Sequence, residues 1–160
     1  MREAWRQVEL GDLCDIALGG TPARKTARFW DVEKKSGNVW LSIADIPKDA
    51  FSWIYDSKEY LSNEGAEKVK LVRQGTLLFS FKLSIGRVCF AGQDLRTNEA
   101  IAALSIKSNA EVDKRYIAWF LWGQDWNEIA ANDEKLKGKT LNKEKLKRVP
   151  VDVPPMPEQK

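Results

Sequence analysis

The sequence predicts an α+β domain: a curved, mostly antiparallel β-sheet with a few packed helices. Three observations carry that expectation. Short β-like runs bounded by turn residues dominate the middle of the chain, one aromatic-rich segment has helical spacing, and 160 residues suit a single hydrophobic core.

The opening WRQVELGDLCDIAL alternates around Val8, Leu10 and Leu13, which predicts a short strand leading into a turn at Gly11 and Asp12. Gly19, Gly20, Thr21 and Pro22 interrupt it. The segment TPARKTARFWDVEKKSGN sets Arg24, Lys25, Arg28, Lys34 and Lys35 against Asp31 and Glu33, with Phe29 and Trp30 in its midst, and reads as a long basic loop. Loops of that length in compact domains are usually functional. VWLSIADI, GTLLFSF, IGRVCFAG and AIAALSI then read as strands, with a helical or irregular stretch at LSNEGAEKVKLV. YIAWFLWGQDWNEIAA spaces Tyr116, Trp119, Phe120, Trp122 and Trp126 by three and four, predicting a helix whose aromatic residues pack into the core. A second basic stretch, EKLKGKTLNKEKLKR, holds Lys135, Lys137, Lys139, Lys143, Lys145, Lys147 and Arg148 against Glu134 and Glu144. After it, Pro150, Pro154, Pro155 and Pro157 predict an extended exit from the domain. Cys14 and Cys89 lie in apolar surroundings and read as small buried hydrophobes rather than halves of a disulfide.

The absence of histidine removes the commonest general base, the commonest metal ligand and every Ser-His or Cys-His nucleophile. GGTPARKT is not a phosphate-binding loop, because Arg24 stands where a second glycine must precede Lys25. Leu18 to Pro22 supplies neither the spacing nor the helix of a dinucleotide or S-adenosylmethionine site, which argues against a methyltransferase. The acid-x-lysine step at Glu33 to Lys35 recurs at Asp133 to Lys135, so solvated charge explains it better than a nuclease centre. No catalytic residue, metal site or cofactor is expected. MREAWRQVELGDL has no apolar segment after its charges and no later run approaches a membrane span, so the expectation is a cytoplasmic protein without membrane association.

A net charge of +3 permits a polyanionic partner without demanding one. Basic residues interleaved with aromatic and small polar residues suit DNA, but on composition alone they suit a plain solvated surface equally well.

Taken in order, WRQVELGDL, GGTP followed by Phe29-Trp30, VWLSIADI, LSNEG, GTLLFSFKLSIGR, TNEAIA and the closing PPMPEQK resemble the type I restriction-modification specificity subunit family. That resemblance implies a target recognition domain over residues 1–153, with 154–160 beginning the junction to a long spacer helix. It implies sequence-specific recognition of double-stranded DNA, one half of a bipartite site being read for partner methyltransferase (modification) and restriction subunits. The rival reading is a protein-interaction module that docks on a DNA methyltransferase to exchange or block its specificity. Under the first reading, the GGTPARKT loop and the FKLSIGR turn are the DNA face. Arg24, Lys25, Arg28 and Lys82 would take phosphates or guanine edges, and Thr21 and Ser84 would donate to phosphate or base. Arg87, Arg96 and Asn98 are second-tier candidates, and Gly19, Gly20 and Gly86 would permit the turns. The lysines from Lys135 to Lys147 suit phosphate contact and plain surface equally.

Overall fold

The computed structural model describes residues 4–48, 52–132 and 141–159. Its strands are β1 (Arg6–Glu9), β2 (Cys14–Leu18), β3 (Asn38–Leu41), β4 (Trp53–Ile54), β5 (Glu59–Leu61), β6 (Leu77–Ser80), β7 (Val88–Ala91), β8 (Arg96–Thr97), β9 (Ile101–Ile106) and β10 (Pro150–Val153). The helices are the single turns α1 (Leu10–Leu13) and α2 (Asn63–Ala66), then α3 (Lys114–Trp122), α4 (Trp126–Asn132) and α5 (Lys143–Lys147). The expected α+β architecture with mostly antiparallel pairing is present, but its strands divide among three sheets. A five-stranded sheet runs β2-β9-β6-β7-β4, a three-stranded sheet runs β5-β3-β8, and β1 pairs with β10. The β4–β7 and β3–β8 pairings are parallel.

The five-stranded sheet is covered on both faces. On one, Ile16, Leu77, Phe79, Phe90 and Leu104 meet Ile117, Ala118 and Leu121 of α3 together with Trp126 and Leu146. On the other, Leu78, Cys89, Ala91, Ile101 and Ala103 meet Val39, Leu41, Ile46, Val72 and Leu95. That double cover explains why LLFS in β6 and VCFA in β7 are buried throughout rather than alternating. Cys14 and Cys89 are both free and buried as expected, and burial pushes each thiol up to about 12.

Three details depart from the sequence reading. VWLSIADI is not one strand: β3 ends at Leu41, and a 3-10 turn follows at Ile43–Asp45, where the Asp45 carboxylate accepts from the Ser42 N–H at 2.8 Å. The aromatic segment is not one helix either, because α3 ends against Gly123 and α4 starts at Trp126. The tryptophans therefore do not share a core face. Trp126 is 7% exposed, whereas Trp119 is 59% exposed, on the side of α3 away from Ile117, Ala118 and Leu121. Trp122 is half-buried and meets Trp119 edge-on at 5.7 Å between ring centroids. Finally, the proline-rich exit is extended only through β10, after which Met156–Gln159 forms a 3-10 turn. Proline's fixed φ is compatible with the first turn of a helix, so Pro157 does not oppose it. Buried Gln159 anchors that turn, accepting from the Asp113 N–H at 2.8 Å and donating to the carbonyls of Pro154 and Glu111 at 2.9 and 3.1 Å.

Candidate nucleic-acid interface

Of the two glycines after β2, Gly19 is dictated by close approach, whereas a Cβ on Gly20 would meet nothing within 4 Å. A Cβ on Gly19 would lie 2.0 Å from the Thr97 carbonyl oxygen, which accepts from the Gly20 N–H at 2.9 Å. The Gly20 carbonyl in turn accepts from the indole N–H of buried Trp40 at 2.9 Å. The start of the basic loop is thus tied to both strands of the three-stranded sheet's parallel pair, β3 and β8.

Beyond that anchor, Thr21 donates to the Glu99 carboxylate. This hydrogen bond is the main cause holding the Glu99 carboxyl below its usual range, with the charges of Lys82 and Arg24 acting in the same direction. At the root of the second candidate loop the Phe81 N–H donates to the Ala100 carbonyl at 3.1 Å, so the two loops, distant in sequence, meet at residues 99–100. Arg24 places its guanidinium 4.4 Å from the Trp30 ring centroid and 5.0 Å from that of Trp40, while Nη1 donates to both carboxylate oxygens of Glu59 at 2.6 and 2.9 Å. Arg28 lies over Phe29 and donates from Nε to Glu64 at 2.9 Å. Lys25 is exposed and has no ion pair among the described residues. Arg24, Trp30, Asp31, Val32, Glu59 and Tyr60 line a cleft of about 350 Å³, walled by two aromatic rings and rimmed by charges of both signs. In the same wall, the Tyr60 hydroxyl donates to Asp56 at 2.6 Å, which raises the Tyr60 pKa and lowers that of Asp56.

The second loop runs from Phe81 to Arg87. Gly86 has φ +106° and packs against Trp126, which a Cβ there would approach to 2.7 Å. At the tip, Leu83 adopts φ 61° and is 90% exposed. Lys82 lies over the Phe81 ring, and the Ser84 carbonyl accepts from the Ser80 hydroxyl. Arg87 points inward: its Nη1 donates to the carbonyls of Ile43 and Ile46 at 2.8 and 3.1 Å, and its Nε is buried with no hydrogen-bond partner among the described residues. Arg96 donates to the Val69 carbonyl at 3.1 Å, and burial lowers its pKa. The Asn98 side-chain oxygen accepts from the Ala100 N–H at 3.0 Å.

Thr21, Arg24 and Lys82 are thus brought to one place. Arg87, Arg96 and Asn98 are engaged with neighbouring backbone. Lys135, Lys137 and Lys139 lie outside the described residues, and on α5 Lys147 pairs with Glu144 at 3.3 Å. Sequence reasoning did not single out Glu59, Trp40 or Glu99 as part of this surface. For Glu59 no local signal existed, since it reaches Arg24 across 35 residues. Glu99 sits inside TNEAIA, a segment the resemblance had already drawn attention to. Among the described residues no cluster of acidic or cysteine side chains could hold a metal ion, and no helix is long and apolar enough to cross a membrane.

Residues 2–160 match the family model described as the type I restriction modification DNA specificity domain. Among solved structures, one from work on complex assembly and conformational transition of the type I R-M system aligns with a TM-score of 0.72 at 22% identity, covering 99% of this chain and 36% of that one. The HsdS subunit from Thermoanaerobacter tengcongensis aligns with a TM-score of 0.69 at 22% identity, over 99% of this chain and 35% of its own. The type-I restriction-modification S subunit from M. genitalium follows with a TM-score of 0.58 at 14% identity, over 93% of this chain and 34% of its own. At these identities the likeness is one of fold, and the chain spans about a third of the length of each. With the family match extending over residues 2–160, the chain belongs to the type I restriction-modification DNA specificity domain family.

Proposed function

We propose that this chain reads the sequence of duplex DNA as a target recognition domain, covering one half of a bipartite site on behalf of methyltransferase and restriction subunits, and that it catalyses nothing itself. In this reading residues 1–153 are the recognition domain, 154–160 begin the junction to a spacer helix, and the chain works in the cytoplasm, where its DNA is. The observation that carries it is the meeting of the GGTPARKT loop, through Thr21, and the 81–87 loop, through Phe81, at residues 99–100, which supports reading Thr21, Arg24 and Lys82 as parts of one surface. Sheets behind, loops in front is an arrangement in which readout residues vary while the core stays constant.

In this reading Lys25 and Arg28 are the candidates for phosphates, which position a protein on duplex without reading it. Arg24 and Lys82 are the candidates for guanine edges, and Thr21 and Ser84 for phosphate or base. Arg87, Arg96 and Asn98 act from behind, holding the loops through the backbone contacts described above. Changing Arg24, Lys25 and Arg28 together to Ala tests the reading. Fluorescence anisotropy on duplex DNA at several salt concentrations is expected to show weaker binding at every sequence, with the salt dependence flattened by up to about two phosphate contacts' worth of slope, those of Lys25 and Arg28. Unchanged affinity and slope would move the interface elsewhere on the molecule.

A further inference from the structure

We propose that Glu59 is a specificity-determining residue: with Trp30 and Trp40 it fixes the Arg24 guanidinium so that the free Nε–Nη2 edge reads one guanine. The inference rests on the reading that the basic loop faces DNA, and it deepens that reading by naming a base and the residue that positions its reader.

Arginine on an exposed loop ordinarily samples many rotamers, and an exposed ion pair ordinarily does little to stop it. Here four restraints act together. The two tryptophan rings meet edge-on, 5.1 Å apart at 87°, and the guanidinium lies over both. Each ring is itself tied to the loop that carries Arg24, Trp40 through the Gly20 carbonyl and Trp30 through that of Ala23 at 3.2 Å. Glu59 stands not on a loop but on β5, directly opposite Trp40 of β3 in the ladder. Its carbonyl also accepts from the Ser57 hydroxyl at 2.7 Å.

Which guanidinium nitrogens are used matters most. Both Glu59 oxygens take Nη1, and the Nε–Nη2 edge has no hydrogen-bond partner among the described residues. That edge offers two parallel N–H donors, the arrangement that matches O6 and N7 of guanine in the major groove. Both side chains remain half-exposed, so a base edge can reach the pair. A carboxylate held near DNA also repels phosphates, so Glu59 is expected to oppose overall affinity while sharpening preference at one position. A merely structural residue would do neither: its loss would lower affinity at every sequence together with stability.

The test selects binding sequences for the full chain from a random duplex pool at low salt. Anisotropy then compares selected duplexes with ones in which single G·C pairs are replaced by A·T. One position is expected to show a guanine preference that Arg24→Ala, Arg24→Lys and Glu59→Ala each reduce by about 5-fold or more, with other positions kept. Arg24→Lys retains the charge but not the paired donors, and Glu59→Ala is expected to bind random duplex more tightly than the wild type. Circular dichroism melts identify any variant that fails to fold. Should Glu59→Ala do so, Glu59→Gln and Arg24→Lys carry the comparison, each expected to weaken the same preference. If the motif is unchanged in the Glu59 and Arg24 variants while Lys25→Ala weakens binding and flattens its salt slope, this inference is overturned and the DNA-face reading stands. If Lys25→Ala and Arg28→Ala also change neither affinity nor slope, both are overturned.

Discussion

Replacing Trp126 by Ala is expected to be the most damaging of the tryptophan truncations on the aromatic segment, and its cost can be worked from the structure. Trp126 is 7% exposed, its ring lies 5.1 Å from that of Phe79 at 52°, and its indole N–H donates to the Leu121 carbonyl at 2.9 Å. A tryptophan side chain buries about 150–250 Å², which at about 25 cal/mol per Å² corresponds to roughly 4–6 kcal/mol against an extended chain. Allowing about 10–40% for the compactness of real unfolded chains leaves roughly 3–5 kcal/mol. For a chain of this size that corresponds to a fall in Tm of roughly 6–20 °C. Trp119 has less than half of its surface to lose, being 59% exposed, so Trp119→Ala is expected to cost about 1–2 kcal/mol by the same arithmetic. Urea and thermal unfolding followed by far-ultraviolet circular dichroism measure both variants. Because Trp126 also fills the space beside Gly86, Trp126→Ala is further expected to loosen the 81–87 loop and weaken DNA binding. Equal losses in the two variants, or a Trp126→Ala protein within 1 kcal/mol of the wild type, would refute the packing argument.

The adjacent glycines are expected to behave differently. Gly19→Ala drives a Cβ to within 2.0 Å of the Thr97 carbonyl and should cost roughly 1–3 kcal/mol, whereas Gly20→Ala meets nothing within 4 Å and should stay within about 0.5 kcal/mol. Denaturation midpoints that do not separate the two would show that the 97–98 backbone yields freely. Thr21→Val removes the hydrogen bond that depresses Glu99, so the Glu99 pKa should rise back toward the ordinary carboxylate range, as read by carbon-detected NMR titration. The sign follows from linkage: a depressed carboxyl stabilises the fold above its unfolded pKa, and that contribution fades as pH falls through the folded value. The stability gap between wild type and Thr21→Val should therefore be open near neutral pH and close on acidification, and a pH-independent gap would contradict it.

Much of this molecule was legible locally. The lack of histidine, the apolar runs that became β6, β7 and β9, the buried cysteines and the extent of the basic loop depend on residue type and short-range periodicity, which a chain displays before it folds. The ordered motifs carried the family as well. What needed the tertiary structure was everything set by partners distant in sequence. Short apolar runs say that strands exist but not which edges pair, so the division into three sheets and the parallel β3–β8 and β4–β7 pairings were hidden. Helical spacing grouped three tryptophans, yet the break at Gly123 turned Trp119 outward and Trp126 inward. Arg24 looked like one cation among several in a basic loop. Only the register that sets Glu59 opposite Trp40 gives it a carboxylate and two aromatic walls, because a guanidinium's orientation depends on what packs against it rather than on its neighbours in the chain.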